Sequence, residues 1–185
     1  MSPGPLASPT ASLDTVDVSV VGAGAAGLVA AIFAASAGRR VLLLERTRDG
    51  GRKILVSGGG RCNVLPSALA PERFVTDSSP NTLRKMLLSW PFAEQRRFFE
   101  EEVGLPLALE PETGKLFPVS DRSRDVRDGL LRLAARRGVI LRTGAEVAEV
   151  RSPQNSDGTP GGVWTIGLRG GEGITAAAVV LATGG

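Results

Sequence analysis

The chain has 185 residues, 42% of them hydrophobic and 22% charged, with 24 glycines, 12 prolines and a net charge of +3. That composition suits one globular core with many loops, and no basic tail or aromatic-interleaved basic run marks a nucleic-acid surface, so no nucleic acid is expected as a partner. The single cysteine, Cys62, and the absence of histidine exclude an internal disulfide, a C-x-x-C redox pair and a zinc site, so no metal is expected.

Met1 to Leu13 is Pro, Ser, Ala and Thr without a period. Residues 1–14 read as a disordered leader and 15–185 as the folded unit. Val16 to Val21 is a β-branched run, read as a short buried strand. Gly22, Gly24 and Gly27 follow at the G-x-G-x-x-G spacing of a dinucleotide-binding turn. The first glycine allows the tight turn, the second lets backbone approach a pyrophosphate, and the third lets the helix pack on the sheet. Ala25 to Ala37 reads as that helix, closed by Gly38. The N–H groups at its start, with Ala25 and Ala26, would face the phosphates.

Val41 to Leu44 is a second buried strand with Glu45 at its end. Glu45 lies near the spacing of roughly 20 residues at which a carboxylate binds a ribose hydroxyl. Val18 to Gly38 carries no charge and is long enough to cross a bilayer. It is rich in Gly and Ala rather than Leu, holds the turn motif, and is preceded by Asp14 and Asp17 with no basic residue. It therefore reads as neither a membrane span nor a signal peptide, and a cytoplasmic protein is expected.

Arg46 to Asn63 reads as a long loop with an ordered middle at Ile54-Leu55-Val56. Ser79-Pro80-Asn81 starts a helix whose face is Leu83, Met86, Leu87 and Trp90. A further helix runs from Pro91 to Val103, closed by Gly104. Both read as core and cover. Pro106 to Pro118 reads as a hairpin turning at Glu112-Thr113-Gly114. Asp121 or Ser123 would cap a helix to Arg137 with Val126, Leu130, Leu133 and Ala134 buried. Val139 to Leu141 is a third buried strand. Ala145–Val150 and Val163–Leu168 form an antiparallel pair around the loop Ser152–Gly162. Ala176 to Ala182 is a final apolar strand, read as buried, running into Thr183-Gly184-Gly185. The order indicates an α/β fold, a Rossmann-like domain with a mainly parallel central sheet and an added β-meander.

The second chemical signal is Gly50 to Asn63. Ser57-Gly58-Gly59-Gly60 offers backbone N–H groups without a Cβ in the way. Arg52, Lys53 and Arg61 add positive charge suited to a pyrophosphate or an electron-rich ring. Cys62 reads more simply as a packed thiol than as a redox group. Asp121, Ser123 and Asp125 are candidates for chemistry, but capping explains at least one of them. No catalytic residue is assigned.

Four stretches together resemble the BaiN/YhiN-like (aminoacetone oxidase-type) FAD-dependent oxidoreductases. They are Val20 to Gly27, Gly51 to Asn63, Glu112 to Pro118 with Ser120-Asp121 through Val126, and Val179 to Gly185. The run Gly51-Arg52-Lys53-Ile54-Leu55-Val56-Ser57-Gly58-Gly59-Gly60-Arg61-Cys62-Asn63 is the most specific. The resemblance implies FAD on Gly22, Gly24, Ala25, Ala26, Gly27, Glu45 and Arg46. Arg52, Lys53, Ser57, Gly59, Gly60, Arg61, Cys62 and Asn63 would wrap the cofactor, with the adenine beside the backbone near Val147 and the cofactor met again at Thr183 and Gly184. It also implies longer proteins with an inserted second domain and a C-terminal return, neither present in these 185 residues. Substrate is not specified, and NAD(P)H is left open as an electron donor to a small-molecule reaction. The residues themselves leave two other readings open, an NAD-binding dehydrogenase and a non-catalytic nucleotide-binding module. Glu45 disfavours NADP as the bound cofactor by repelling a 2′-phosphate.

Overall fold

The computed structural model describes residues 14–153 and 161–184. Most of the expected leader, the middle of the Ser152–Gly162 loop, and Gly185 lie outside them. Asp14, placed in the leader by the sequence reading, opens β1 (Asp14–Val21).

From β1 the chain passes through Gly22 into α1 (Ala25–Ser36) and returns as β2 (Val41–Glu45). Gly38, at φ +76°, ends α1 as its composition predicts. The Asp17 carboxylate accepts the Arg40 N–H at 2.7 Å and fixes the re-entry into β2. The segment read as a loop holds a short helix, α2 (Arg52–Val56), followed by a tight turn over Ser57–Gly60. Ile54 explains the helix, since it is the residue α2 buries.

β3 (Leu65–Pro66) pairs with the hairpin β4 (Leu107–Glu110) and β5 (Lys115–Pro118) in a separate three-stranded antiparallel sheet. Between β3 and β4 run α3 (Pro80–Ser89) and α4 (Phe92–Arg97), the latter continuing as a π-helical turn over Phe98–Glu102. Ser79 caps α3 by accepting the Thr82 N–H at 3.2 Å. The expected apolar face of α3 is only partly used. Trp90 packs on the core, but α3 buries no residue fully and Met86 is 64% exposed.

α5 (Ser123–Arg136) buries the expected stripe of Val126, Leu130, Leu133 and Ala134. Its cap differs from expectation: Arg122 occupies the cap position and neither Asp121 nor Ser123 caps through its side chain. Ser123 is instead buried at the first turn and donates its hydroxyl to the Leu55 carbonyl at 2.9 Å, pinning α5 to α2.

β6 (Ile140–Thr143), β7 (Val147–Arg151), β8 (Trp164–Leu168) and β9 (Gly173–Leu181) complete a six-stranded sheet in the order β6-β2-β1-β9-β8-β7. β6, β2, β1 and β9 are parallel, while β7 and β8 add antiparallel at the β9 side. Two strands read as buried are not wholly so. β6 lies at the sheet edge, leaving Ile140 53% exposed, and β9 buries Ile174 and Ala176 but leaves Leu181 68% exposed at its other end. β8 pairs only with the first half of β9, Gly173–Ala176, so β8 gives the second half no pairing.

Each face of the sheet has its own apolar layer. On one, α1 and α5 supply Leu28, Ala31, Ile32, Leu130 and Leu133 against Val20, Val41 and Leu43. On the other, Leu42 and Leu44 meet Ala145, Ile166, Leu168, Ile174 and Ala176 of the meander. Burying each large aliphatic side chain stabilises the fold by about 1.5–3 kcal/mol. In register, Val21 stands beside Leu44 and Leu181. The carboxyl ends of β1, β2 and β9 are therefore level, with β1's two parallel neighbours on opposite sides. That is the topological switch point at which open α/β sheets bind ligands.

Candidate functional site: a dinucleotide cradle

Three glycines define the turn above β1, and the structure gives them different reasons. Gly22 adopts φ +101°, and a Cβ there would stand 2.5 Å from the Ala182 carbonyl oxygen. A Cβ on Gly27 would stand 1.8 Å from the Gly22 carbonyl oxygen. Both are required by the protein's own packing. Gly24 is not: its φ of −76° is open to any residue, and a Cβ there meets nothing within 4 Å. The space beside Gly24 belongs to the start of α1, which has no side-chain cap and no acidic residue in its first turn. Ala25 and Ala26 are exposed there. Such a terminus presents N–H donors and a positive dipole end to an anion.

Glu45 faces this turn from the end of β2. One carboxylate oxygen accepts the Ala23 N–H at 2.9 Å, and the other accepts the Thr47 N–H at 2.9 Å and the Thr47 hydroxyl at 2.8 Å. Burial alone pushes its acidity down, but the Thr47 N–H, the Ala23 N–H and the Thr47 hydroxyl together outweigh it, holding the carboxyl below its ordinary range. Glu45 is thus ionised and fixed in place, with lone pairs left for a further donor. Ala23 is the knot of the site. Its N–H binds Glu45, and its carbonyl accepts the Gly51 N–H at 2.7 Å.

Other segments converge here. The Ala182 N–H donates to the Val21 carbonyl at 2.8 Å, bringing Thr183 and Gly184 alongside the turn. A Cβ on Gly184 would lie 3.0 Å from Lys53 Nζ, so the ammonium of α2 sits against the end of β9. The Ala145 N–H donates to the Glu45 carbonyl and the Gly144 N–H to that of Thr47. This leads the chain into β7, and so to Val147, from the acid's own end of the sheet. Arg46 and Arg52 are exposed nearby in sequence.

The tight turn after α2 is left-handed almost throughout. Gly58, Gly59, Gly60 and Cys62 have φ of +56°, +68°, +91° and +65°. Cβ atoms on Gly59 and Gly60 would meet nothing within 4 Å. Arg61 does not point to open space: its Nε lies 2.5 Å from Asp121 and its Nη1 2.8 Å from Glu110, with the guanidinium 4.2 Å above the Phe117 ring. The hydrogen bonds it donates to Asp121 and then to Glu110 raise its already high pKa. Glu110 is held below the usual carboxylate range by the Thr113 hydroxyl and then by Arg61. Cys62 is buried, and burial pushes its thiol up despite the Ser57 hydroxyl. Asn63 is exposed beside it.

The structure therefore gathers the fingerprint turn, Glu45, the start of the Gly51–Asn63 segment and Thr183-Gly184 at one sheet end. Of the acids weighed for chemistry, Asp121 pairs with Arg61 and Asp125 with Arg122 at 3.0 Å. Sequence reading passed over Ala23, Thr47, Glu110 and Phe117. Thr47 could have been found two residues after the acid, but Glu110 and Phe117 join the site only through the tertiary fold. Among the described residues no group of His, Cys, Asp or Glu could hold a metal.

This geometry defines a Rossmann-type dinucleotide-binding domain. Residues 16–185 match the family described as HI0933-like protein Rossmann domain, and the chain belongs to it; that family includes the BaiN/YhiN-type oxidoreductases. It is 30% identical over 174 residues to the ribosomal RNA dihydrouridine synthase of Escherichia coli (strain K12), covering 94% of this chain and 40% of that protein. It is 31% identical over 136 residues to the 3-dehydro-bile acid delta(4,6)-reductase of Clostridium scindens, covering 72% of this chain and 32% of that protein. The chain thus spans a third to two fifths of these relatives. In fold it is similar to the 3-ketosteroid-delta4-(5alpha)-dehydrogenase of Rhodococcus jostii RHA1, at a TM-score of 0.61 and 20% identity over 96% of this chain and 48% of that one.

Proposed function

We propose that this chain is the FAD-binding part of a flavoprotein oxidoreductase, the rest of which lies outside these 185 residues. The observation that carries the reading is the space beside Gly24, a position where the protein's own packing has no use for glycine and a pyrophosphate does. The Ala25 and Ala26 N–H groups would meet the phosphates, with Gly22 and Gly27 shaping the turn. Glu45 would accept the ribose hydroxyls, and Arg46 would lie at the adenosine end near the Val147 backbone. Arg52, Lys53, Ser57, Gly59, Gly60, Cys62 and Asn63 would line the path toward the ring, with Thr183 and Gly184 opposite. FAD, when bound, would supply the hydride and electron chemistry.

The reaction proposed is reductive. One relative is named a dihydrouridine synthase and the other a delta(4,6)-reductase, which supports testing hydride delivery to an unsaturated ring first. NAD(P)H is the proposed donor. The substrate is proposed as a small molecule, and the E. coli relative's name sets ribosomal RNA as the competing choice. Steady-state reduction of a conjugated ketone by the full-length protein, against that of a uridine-containing RNA, separates the two. No helix among the described residues is long and apolar enough to cross a membrane; a cytoplasmic location is proposed.

The test of the cofactor is an FAD titration by fluorescence quenching of wild type and Gly24→Ala. Wild-type quenching, lost in a variant that stays within about 1 kcal/mol of wild-type stability, supports the reading. Equal affinity in both overturns it. NADH binding in place of FAD would favour the dehydrogenase reading.

A further inference from the structure

Two residues other than glycine adopt left-handed backbone among the described residues, Cys62 and Asp121, and they stand at the two ends of one contact. Arg61 immediately precedes Cys62, and its Nε meets the Asp121 carboxylate at 2.5 Å. The same guanidinium reaches Glu110, at the end of β4, and covers Phe117 of β5. The Phe117 ring in turn lies under the turn itself, since a Cβ on Gly58 would stand 3.3 Å from it. Residues in this backbone region persist where their surroundings over-determine them, and they cluster at ligand clamps. Here the surroundings are three segments joined by one side chain. Unlike the fingerprint turn, this loop lies outside the six-stranded sheet and leads into the short strand β3. Beyond the tight turn over Ser57–Gly60, it is closed by the Cys62 N–H to the Ser57 carbonyl and the Arg61 N–H to that of Gly58.

We propose that Arg61 is a positioning residue: by gripping Asp121 and Glu110 with its fork while lying on Phe117, it holds the Gly58–Asn63 loop in the cofactor-facing shape and keeps Cys62 closed beneath it. The cofactor-facing part rests on the FAD reading; the gripping part does not. A planar fork that engages two carboxylates at once is a task for arginine and not for lysine. Arg61 thus acts on the cofactor through the loop's backbone rather than as a free cation.

Cys62 supplies the test, because it is the chain's one cysteine and is buried. Its reaction with an aromatic disulfide reagent is followed in the ligand-free chain at several low urea concentrations. Arg61→Met is expected to label roughly tenfold faster than wild type, the effect of losing hydrogen bonds to charged groups, at a rate flat in urea, as local opening requires. Arg61→Lys is expected to fall between. Asp121→Asn, which leaves Arg61 and Glu110 in place, is expected to accelerate labelling less, and it replaces Arg61→Met if that variant does not fold. Unchanged labelling in both variants overturns the proposal. So does a rate that climbs with urea in step with global unfolding, because Arg61 would then add only general stability. In a parallel FAD titration, Arg61→Met should lose roughly tenfold in affinity, with part returned in Arg61→Lys. A wild-type chain whose labelling responds as expected but which does not bind FAD refutes the cofactor reading and leaves the clamp standing.

Discussion

The two glycine-rich turns of this protein reach a similar form by opposite means. The Gly22–Gly27 turn is shaped by main chain. Gly22 cannot carry a Cβ because of the Ala182 carbonyl, nor Gly27 because of Gly22 itself, and the level ends of three parallel strands leave the turn one path. The Gly58–Asn63 turn is shaped by side chains. A Cβ on its tip glycines would meet nothing, and what ties it to the rest of the fold is Arg61 reaching two distant acids and a ring. The first is rigid because the sheet is; the second is only as rigid as one guanidinium's contacts. Substitutions in the first should act on folding or on the ligand, according to the glycine chosen. Substitutions around the second should act on loop opening while the sheet stays intact.

The largest effect is expected at Gly27. Gly27→Ala forces a methyl into the Gly22 carbonyl, and overpacking of this kind costs about 3 kcal/mol. A urea midpoint unchanged from wild type would mean that the turn is softer than described. Gly24→Ala, three residues earlier, is the contrast already set out: little loss of stability and loss of the dinucleotide.

Glu45 comes next. Glu45→Ala should weaken FAD by about 1.5–3 kcal/mol, the range for hydrogen bonds to a charged acceptor, and it also strips the Ala23 N–H of its partner. The pH dependence follows from the lowered pKa of its carboxyl. A carboxyl held below its unfolded value contributes stability that is fully present above that unfolded value and is lost as pH falls through the folded one. Glu45→Gln should therefore flatten part of the acid limb of a stability profile. An unaltered limb would assign that limb to other carboxylates.

A smaller effect is expected at Cys62. Cys62→Ser should keep cofactor binding and flavin reduction, because a lone thiol has no internal disulfide to cycle through and burial disfavours its thiolate. A variant that binds FAD normally but cannot be reduced would give this thiol a chemical role. The smallest is Ser19→Ala. The Ser19 hydroxyl is fully buried in β1 with no hydrogen-bond partner among the described residues. Removing it should leave the stability, read from thermal melting, unchanged or raise it slightly, by no more than about 1 kcal/mol.

The same contrast explains what could be read from the residues alone. The β1-α1-β2 unit, the α5 stripe and the meander are legible because a strand end, a helix face and a turn each have a local signature. Burial at the sheet's margins is not. Val139-Ile140-Leu141 and the end of β9 are as apolar as any core strand, and only the strand order shows that Ile140 and Leu181 have no cover. Within Arg46–Asn63, the helix α2 escapes notice because five residues give no measurable period. At the site, Glu45 is visible by its spacing, whereas Glu110 and Asp121 depend on how a hairpin and a helix start fold over Arg61. The Asp121 and Ser123 caps were misread for a related reason: both side chains already serve distant partners, Arg61 and Leu55.

The chain's two tryptophans divide between the two apolar layers. Trp90 lies against the helical layer, edge-on to Phe33 and Phe98, and Trp164 against the meander layer. Each face of the sheet therefore carries its own fluorophore. The floor between them is shared, because β2 sends Leu43 to one layer and Leu42 and Leu44 to the other. Neither layer can be lost without stripping the strand that supports its neighbour. Phe substitutions at Trp90 and Trp164 in turn should give two emission signals that fade at one temperature, the signature of a single cooperative unit.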